Sequence, residues 1–438
     1  MTVRLQSRQL SQLHLYQVLH AVRVRRGAMS RAEIAERTGL SQPAVSSLTR
    51  RLLASGALIE GDARPSQGGG RRERELMLNS AFAWVVGVKI AMHQLTITLV
   101  DFAGGVATTI KRPLAAPLRL PELVRQVARE IDKALAGAGG PVRERLAGVG
   151  VAVPGFVDSL KGEVYWTPIL KAQGSTKAAP YRLAAALEQA LEVPVFIEND
   201  ANMLALAEQW FGDAGGVPHV AVVTLEHGLG LGLVLGGELY RGHGGLAAEL
   251  GHVQVEADGR ACRCGKSGCL EAYVAHYAIV QQGQEAGLIA AKGDLPPAAV
   301  EAAYLDLAHA ARAGRVQARK IFERQGRMLG RWIANMANLV APQLVLLGGG
   351  PQIATDLYEP ALRSALADAL ALPHRDRLTL LMRHHGDEVW ARGAAALVLQ
   401  RLDESTRIVE AASRHGLTRG ANSKTPQRQQ DVGRRALA

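Results

Sequence analysis

The stretch ELGHVQVEADGRACRCGKSGCLE, residues 249–271, holds every cysteine of the 438-residue chain and a histidine upstream of them. The spacing is His-x9-Cys-x-Cys-x4-Cys, formed by His252, Cys262, Cys264 and Cys269. Three thiolates and one imidazole are the ligand set of a closed, tetrahedral structural zinc site. The alternatives are three small buried residues, or a disulfide with one thiol left over, but clustered cysteines with none elsewhere argue against an oxidised scaffold. The segment therefore predicts a structural Zn²⁺ knuckle, and carboxylates at both of its ends indicate that the ion shapes a site.

The composition is typical of a chain that works in the cytoplasm. No run of eighteen apolar residues occurs, and the N-terminus lacks the form of a signal peptide, so no membrane contact is expected. Residues 1–79 carry 13 Arg against 6 acidic residues, and residues 407–438 carry 7 basic against 2 acidic residues. The body between them is almost neutral. Basic ends on a neutral body favour contact with a polyanion.

Residues 1–79 predict a small winged helix-turn-helix domain. Leucine and valine at helical spacing indicate a first helix around Leu15 to Val22. Ser30 and Glu33 form a capping box that opens a second helix over 31–38, and Ser41 caps a third over 41–56. Two helices joined by a four-residue turn are the helix-turn-helix pattern.

The third helix and the segment after it are predicted to bind DNA. The helix would lie in the major groove and present Gln42, Ala44, Ser46, Ser47 and Arg50. Two strands then enclose a glycine- and arginine-rich tip, where Arg71 and Arg72 could reach phosphate or the minor groove. The alternative is a helical protein-interaction module with a basic, solvated face.

Residues 80–406 alternate strands with helices, which predicts an α/β fold with mixed sheets. WVVGVKI and LTITLVD are expected to pair, and LAGVGVAV, VPVFIEND and LVLLGGG predict further strands. ARGAAALVLQRL predicts a terminal helix over 391–402. Residues 407–438 show no apolar periodicity and are expected to form a disordered basic tail.

Several motifs occur in the order seen in the ROK family, named for repressor, open reading frame and kinase. They are VGVAVPGFVD, IENDAN, LGLGLVLGGELYRG, AAELGHV, CRCGKSGCLE and LVLLGGG. The resemblance covers residues 1–402 and implies an actin-like, hexokinase-type body of two α/β lobes. The first lobe would span 80–200 and be completed by the terminal helix, and the second would span 201–390 with the zinc knuckle. The winged-helix prefix distinguishes the sugar-responsive repressors of that family from its sugar kinases.

The resemblance also implies a set of sugar-binding residues, all of which are present here: Gly155, Asn199, Asp200, Glu249, His252 and Glu271. One departure is Ala248, where the family usually has glycine. Each residue has a simpler alternative role. Asn199 and Asp200 could cap the helix that follows them, and Glu249 and Glu271 could be solvated loop residues.

The two glycine-rich loops that bind nucleotide phosphates in the kinases of that family are altered in this sequence. At the first phosphate loop, Lys89 replaces an aspartate, Ala91 and Met92 replace two glycines, and His93 replaces a threonine. The second loop is Glu226-His227-Gly228, and a carboxylate that faces a triphosphate is repulsive. The glycines of LGLGL resemble a dinucleotide fingerprint only superficially, because no helix follows them directly.

These observations predict a sugar-responsive repressor that is not an enzyme. It would bind operator DNA as a symmetric homodimer or homotetramer and respond to a sugar or sugar phosphate. The first alternative is a sugar kinase with a DNA-binding prefix, in which Asp200 would act as general base. The second is a repressor controlled by a protein partner, in which the sugar-site residues would be scaffold.

Overall fold

The computed structural model describes residues 7–25, 27–64, 73–172, 179–350 and 354–404. The chain begins with three helices, α1 (Ser7–Arg25), α2 (Arg31–Thr38) and α3 (Gln42–Ala54). The antiparallel strands β1 (Leu58–Arg64) and β2 (Glu73–Leu78) follow. Helices and strands share one core, in which Leu19, Ile34, Val45 and Leu52 are fully buried. The predicted winged helix-turn-helix is confirmed, and the predicted tail at 407–438 lies outside the described residues.

The capping predictions for α2 and α3 have different outcomes. The Ser30 hydroxyl accepts a hydrogen bond from the Glu33 N–H, and the Glu33 carboxylate accepts one from the Ser30 N–H, so the capping box is confirmed. Ser41 occupies the N-cap position just before α3, but its side chain makes no capping hydrogen bond, so the prediction that it caps α3 was wrong. Pro43 in the first turn has no N–H to offer, which removes one of the usual donors to a capping side chain.

The first half of the body builds one sheet and its helices. Its elements are β3 (Trp84–Ile90), β4 (Gln94–Asp101), β5 (Val106–Pro113), α4 (Leu120–Ala138), β6 (Leu146–Val153), β7 (Phe156–Asp158), β8 (Glu163–Trp166), α5 (Leu183–Leu191), β9 (Val195–Asn199) and α6 (Asp200–Phe211). The sheet order is β5-β4-β3-β6-β9, with β7 and β8 as a separate hairpin. β3 pairs antiparallel with β4, as predicted, and parallel with β6.

The second half builds another five-stranded sheet. Its elements are β10 (Val220–Leu225), β11 (Leu229–Leu235), β12 (Glu238–Leu239), α7 (Glu271–Val274), α8 (His276–Glu285), α9 (Pro297–Arg312), α10 (Val316–Val340), β13 (Leu344–Gly348), α11 (Thr355–Ala369), α12 (Leu372–Arg375), β14 (Thr379–Met382) and α13 (Asp387–Asp403). The order is β12-β11-β10-β13-β14. Mixed sheets confirm the predicted α/β fold. No described helix is long and apolar enough to cross a membrane.

The terminal helix α13 begins four residues earlier than predicted, at Asp387. It lies directly on the first sheet, where β3 and β6 carry glycines. A Cβ atom on Gly87 would lie 1.8 Å from the Ala391 carbonyl oxygen, and one on Gly150 would lie 1.9 Å from the Ala394 oxygen. Only glycine permits this approach of helix backbone to sheet backbone.

A single apolar cluster joins the winged helix-turn-helix to the body. It runs from α1 to α3 through Phe102 and Trp210 to the buried residues of α13. The predicted lobe boundary at 200/201 falls at the first turn of α6, which packs against α13 as well as against β11 of the second sheet. The division into lobes at that residue therefore stays a prediction.

Candidate functional site

A cleft of about 130 Å³ brings together all six predicted sugar-site residues. They come from elements far apart in the sequence. Gly155 follows β6, Asn199 ends β9, and Asp200 begins α6. The other three lie around the cysteines in the sequence: Glu249 and His252 before them, and Glu271 after them. The cleft thus draws on the carboxyl ends of parallel strands and on the cysteine-rich loop, positions where α/β proteins often bind ligands.

Asn199 caps α6, which was the alternative interpretation of this residue, and it also holds the turn at Gly155. Its side-chain oxygen accepts hydrogen bonds from the N–H groups of Ala201, at 2.9 Å, and Asn202, at 3.4 Å. Its side-chain nitrogen donates to the Gly155 carbonyl oxygen at 3.0 Å. Gly155 has a φ of 108°, a backbone conformation that glycine adopts readily. Asn199 therefore fixes both the start of α6 and the turn after β6.

The three carboxylates of the predicted site are held in a poorly solvated environment. Glu271 is buried, and it accepts hydrogen bonds from the Leu229 N–H at 3.2 Å and the Tyr277 hydroxyl at 3.4 Å, so it is not a solvated loop residue. Burial raises the pKa of Glu249 to about 7, and the neighbouring charges of Asp200 and Glu271 add to that effect. Burial also raises the pKa of Asp200 to about 6, although Lys89 opposes the change. Carboxyl groups in this state can both accept and donate hydrogen bonds.

The cysteine cluster has the geometry of a four-ligand metal site. The ligand atoms of His252, Cys262, Cys264 and Cys269 all lie within 4.8 Å of one another. The Cys262 sulfur lies 3.6 Å from His252 Nδ1, and the Cys264 and Cys269 sulfurs are 3.8 Å apart. Tetrahedral zinc with Zn–S bonds of about 2.3 Å places its sulfurs about 3.8 Å apart. The cysteines are free, and burial lowers the pKa of His252, which favours the neutral imidazole that binds metals.

The far end of the cleft is occupied by an ion-pair network centred on Lys89. Its ammonium group donates to Asp387 Oδ1 at 2.8 Å, lies 3.3 Å from Glu226 Oε2, and stands 3.6 Å from the centre of the Trp390 ring. Gln94 donates to the other Asp387 oxygen at 2.8 Å. The Lys89 side chain is only 3% exposed. Burial lowers its pKa, but the charges of Glu226 and Asp387 outweigh burial and leave it raised.

This network changes the interpretation of the lost phosphate loops. Glu226 is paired with Lys89, so it does not face the cleft as an unpaired carboxylate, as the sequence had indicated. Lys89, Ala91, Met92 and His227 line the cleft. His93 is exposed, and the centre of its ring lies 6.1 Å from that of His227, so its part in filling this space stays a prediction.

Sequence reasoning missed the partner of Lys89. Asp387 lies 298 positions away, and no local pattern connects the two residues. The available signal was Lys89 itself. A single lysine in the apolar strand WVVGVKI needs a counter-charge if the strand is buried. Arg263 and Trp166, which also line the cleft, gave no signal.

The glycines of LGLGL serve packing, which agrees with their dismissal as a dinucleotide fingerprint. A Cβ atom on Gly232 would lie 2.6 Å from the Ala201 carbonyl oxygen, so α6 rests directly on β11.

The candidate DNA-binding residues of α3 form an open face. Gln42, Ser47 and Arg50 are exposed, and Ala44 and Ser46 are partly buried. At the base of the wing, Glu60 pairs with Arg31 at 3.2 Å and with Arg74 at 2.8 Å. The tip residues Arg71 and Arg72 lie outside the described residues.

Comparisons with known proteins agree with both halves of this structure. The MarR family matches residues 15–72, and the ROK family matches residues 85–401. The DNA-binding transcriptional dual regulator NagC of Escherichia coli is 31% identical over 85% of this chain and 89% of its own length. The xylose repressor of Bacillus subtilis is 27% identical over 85% of this chain and 91% of its own length.

Enzymes also occur among the relatives. The glucokinase of Streptomyces coelicolor is 31% identical over 64% of this chain and 86% of its own length. A crystal structure described as a ROK family transcriptional regulator, homologous to the Escherichia coli MLC protein, superimposes with a TM-score of 0.75 at 24% identity. It covers 92% of this chain and 100% of its own. On the extent of the family match and the identity to NagC, the chain belongs to the ROK family.

Proposed function

We propose that this protein is a sugar-responsive transcriptional repressor without kinase activity. The observation that carries the proposal is the convergence of six candidate sugar-binding residues in one cleft, on a chain that also holds a winged helix-turn-helix. The similarity to NagC and to xylose repressors supports it. It would bind operator DNA as a homodimer or homotetramer, with α3 of two subunits in successive major grooves.

The chemistry of the cleft suits a ligand rich in hydroxyl groups. Asp200, Glu249 and Glu271 can accept hydrogen bonds from hydroxyls. A site of partly buried polar groups rejects ligands that leave those groups unpaired. His252 directs Nδ1 towards Cys262, which leaves Nε2 as the ring nitrogen available to a sugar. We propose zinc as the ion of the cysteine cluster, where it would fix the orientation of this ring.

We propose that the cleft does not perform phosphoryl transfer. A polyphosphate would have to displace the buried Lys89–Asp387 pair and would meet the Met92 side chain. Phosphoryl transfer depends on positioning and charge neutralisation. A lysine already committed to two carboxylates cannot supply that neutralisation.

Helix α13 offers a route from the cleft to the DNA-binding domain. At its first residue, Asp387 pairs with Lys89. At its last, Asp403 accepts two hydrogen bonds from Arg23 of α1, at 2.8 and 2.9 Å, and both side chains are buried. We propose that sugar binding shifts α13 and thereby changes the position of α1. A sugar can do this only by binding one arrangement more tightly than the other.

The test is operator release by sugar. Operator fragments would be selected from random DNA with the full-length protein, and their binding measured with and without glucose, xylose and N-acetylglucosamine. We expect one of these sugars to weaken operator binding. Asp200→Ala should bind the same operator and no longer respond to the sugar, because it loses one of the proposed hydroxyl acceptors.

Two results would contradict the proposal. An Asp200→Ala protein that responds at the same sugar concentration would place the site elsewhere. Sugar phosphorylation with ATP and magnesium faster than about 1 per second, the lower end of kinase turnover, would establish the kinase alternative.

A further inference from the structure

Two turns that border the cleft each carry a histidine that the proposed function does not use. His93 lies in the turn between β3 and β4, and His227 lies in the turn between β10 and β11. The first turn belongs to one five-stranded sheet and the second turn to the other. The centres of the two imidazole rings are 6.1 Å apart. Imidazole is the commonest metal ligand in proteins, so the pair is a candidate for metal binding.

His227 gives the stronger indication, because its ring lacks hydrogen bonds. Both of its ring nitrogens are buried, and neither has a hydrogen-bond partner among the described residues. Buried polar atoms without a partner are rare in folded proteins, and a bound ion is one explanation for them. The carboxylate of Glu301 on α9 lies beside the ring, with its Oε1 3.3 Å from His227 Nε2. A negatively charged oxygen and an unbonded ring nitrogen therefore face the same small volume.

The distances between these groups fit the ligands of one ion. An ion with bonds of about 2.0–2.1 Å in tetrahedral geometry holds its nitrogen and oxygen ligands about 3.4 Å apart. His227 and Glu301 have that spacing and are not aligned as a hydrogen bond. Two imidazoles on one ion have ring centres about 5–6 Å apart, so His93 needs a shift of about 1 Å at most. The His93 side chain is exposed, and its rotation can supply that shift.

The surroundings hold both turns in place. The His93 carbonyl oxygen accepts a hydrogen bond from the Leu114 N–H at 2.9 Å. On the other side, the centre of the His276 ring lies 6.3 Å from that of His227, and His276 stacks on Tyr304 at 4.2 Å. The backbone of the first turn and the ring neighbours of the second are thus fixed. Only side-chain rotation is needed to bring the ligands together.

We propose that His93, His227 and Glu301 bind a second divalent metal ion, separate from the ion of the cysteine cluster. Two imidazoles and one carboxylate suit transition ions such as Zn²⁺, Co²⁺ and Ni²⁺, whereas Mg²⁺ and Ca²⁺ prefer oxygen ligands. Three protein ligands leave one tetrahedral position for water. Because the ligands come from both halves of the body, the bound ion links the two sides of the cleft. The site does not depend on the identity of the effector.

Cobalt binding tests the proposal. The full-length protein would first be loaded with about one equivalent of zinc, which the four ligands of the cysteine cluster are expected to take up. Co²⁺ would then be titrated and followed by visible absorption. Thiolate-bound Co²⁺ gives intense charge-transfer bands, whereas an ion with nitrogen and oxygen ligands gives only weak d–d bands. We expect about one further Co²⁺ per chain without the thiolate bands, and a higher midpoint of thermal unfolding when it is bound.

Variants identify the ligands. His93→Ala and Glu301→Gln should each weaken Co²⁺ binding by at least about tenfold, since even the loss of a group that only orients a metal ligand has an effect of that size. They should also remove the thermal stabilisation by Co²⁺. His309→Ala is the matched control, because His309 is exposed on the same helix as Glu301. It should bind Co²⁺ like the native protein. Elemental analysis before the titration would verify that each variant retains its zinc.

Two results would overturn the proposal. One is a zinc-loaded native protein that binds no further Co²⁺. The other is a Co²⁺ affinity that is the same in His93→Ala as in the native protein and in His309→Ala. His93 is an exposed turn residue, so its variant decides the question even if Glu301→Gln does not fold. Neither result involves sugar or operator, so the proposed function is tested separately.

Discussion

Asp200 is the residue at which binding and stability most clearly oppose each other. Burial raises its pKa from 3.8 to about 6, against the attraction of Lys89. Because the folded pKa lies above the unfolded one, the stability that this carboxyl contributes is complete below about pH 4 and is lost as the pH rises through about 6. A group that we propose to bind the sugar is thus charged at neutral pH at some cost in folding stability, as is common at functional sites.

We predict that Asp200→Asn is more stable than the native protein at neutral pH and not at acid pH. The amide cannot ionise, so its advantage should grow to about 1–2 kcal/mol between about pH 4 and pH 7.5, a figure reduced from the full linkage value because the side chain is partly exposed. Urea unfolding midpoints measured across this range would show it. If the unfolding midpoints of the two proteins change with pH in the same way, ionisation of Asp200 does not destabilise the fold.

The cysteine-rich loop combines the candidate metal ligands with buried side chains that join the apolar core of the second half of the body. Cys269 is fully buried and Cys262 almost so, and burial raises the pKa of both thiols. A metal would reverse that effect, because bound thiols are deprotonated. Glu271 is two residues past Cys269 and lies 3.9 Å from the Cys262 sulfur, so the loop and the cleft are in direct contact.

We predict that Cys264→Ser loses the metal and the response to sugar together. Hydroxyl is a poor zinc ligand, and with three ligands remaining the loop that positions His252 and Glu249 is no longer fixed. Elemental analysis should find about one zinc per native chain and little in the variant. Operator binding should persist, because the winged helix lies outside this loop. Native protein purified under reducing conditions without metal would refute the zinc assignment.

A buried ion pair joins the first and last described helices, α1 and α13. Arg23 and Asp403 are separated by 380 positions, and Arg23 also donates to the Phe102 carbonyl oxygen and lies over the Phe102 ring. The pair fastens α1 to the end of α13. Removal of one member of such a pair leaves the other charge buried without a partner, which typically lowers the free energy of unfolding by about 3–5 kcal/mol.

We predict that Arg23→Gln uncouples the DNA-binding domain from the cleft. The variant should still bind sugar by calorimetry and operator by gel shift, but sugar should no longer release the operator. It should also unfold more easily by about 3–5 kcal/mol. Arg25→Gln is the control. Arg25 is half exposed and pairs with Glu33, so its loss should change stability by less than about 1 kcal/mol. Normal release in Arg23→Gln would show that the signal travels by another route.

Local patterns were enough to predict much of this protein. The capping box at Ser30, the strand pair of WVVGVKI and LTITLVD, and the His-x9-Cys-x-Cys-x4-Cys spacing each lie within a few tens of residues. Backbone hydrogen bonding, side-chain periodicity and ligand spacing act over that range, so the sequence alone determined the winged helix, the α/β character of the body and the candidate metal ligands.

The electrostatic arrangement of the cleft was decided only by the tertiary structure. In the sequence, Glu226 is a carboxylate that would repel phosphate, and Lys89 is a single charge in an apolar strand. In the structure, Lys89 pairs with Glu226 and also with Asp387, which lies near the other end of the chain. The start of α13 was missed for a related reason, since its first two residues, Asp387 and Glu388, are charged, and Asp387 pairs with Lys89 from a distant strand. The strength of an interaction between charges depends on the distance between them and on their burial. Both are fixed only when the two sheets and α13 have packed together.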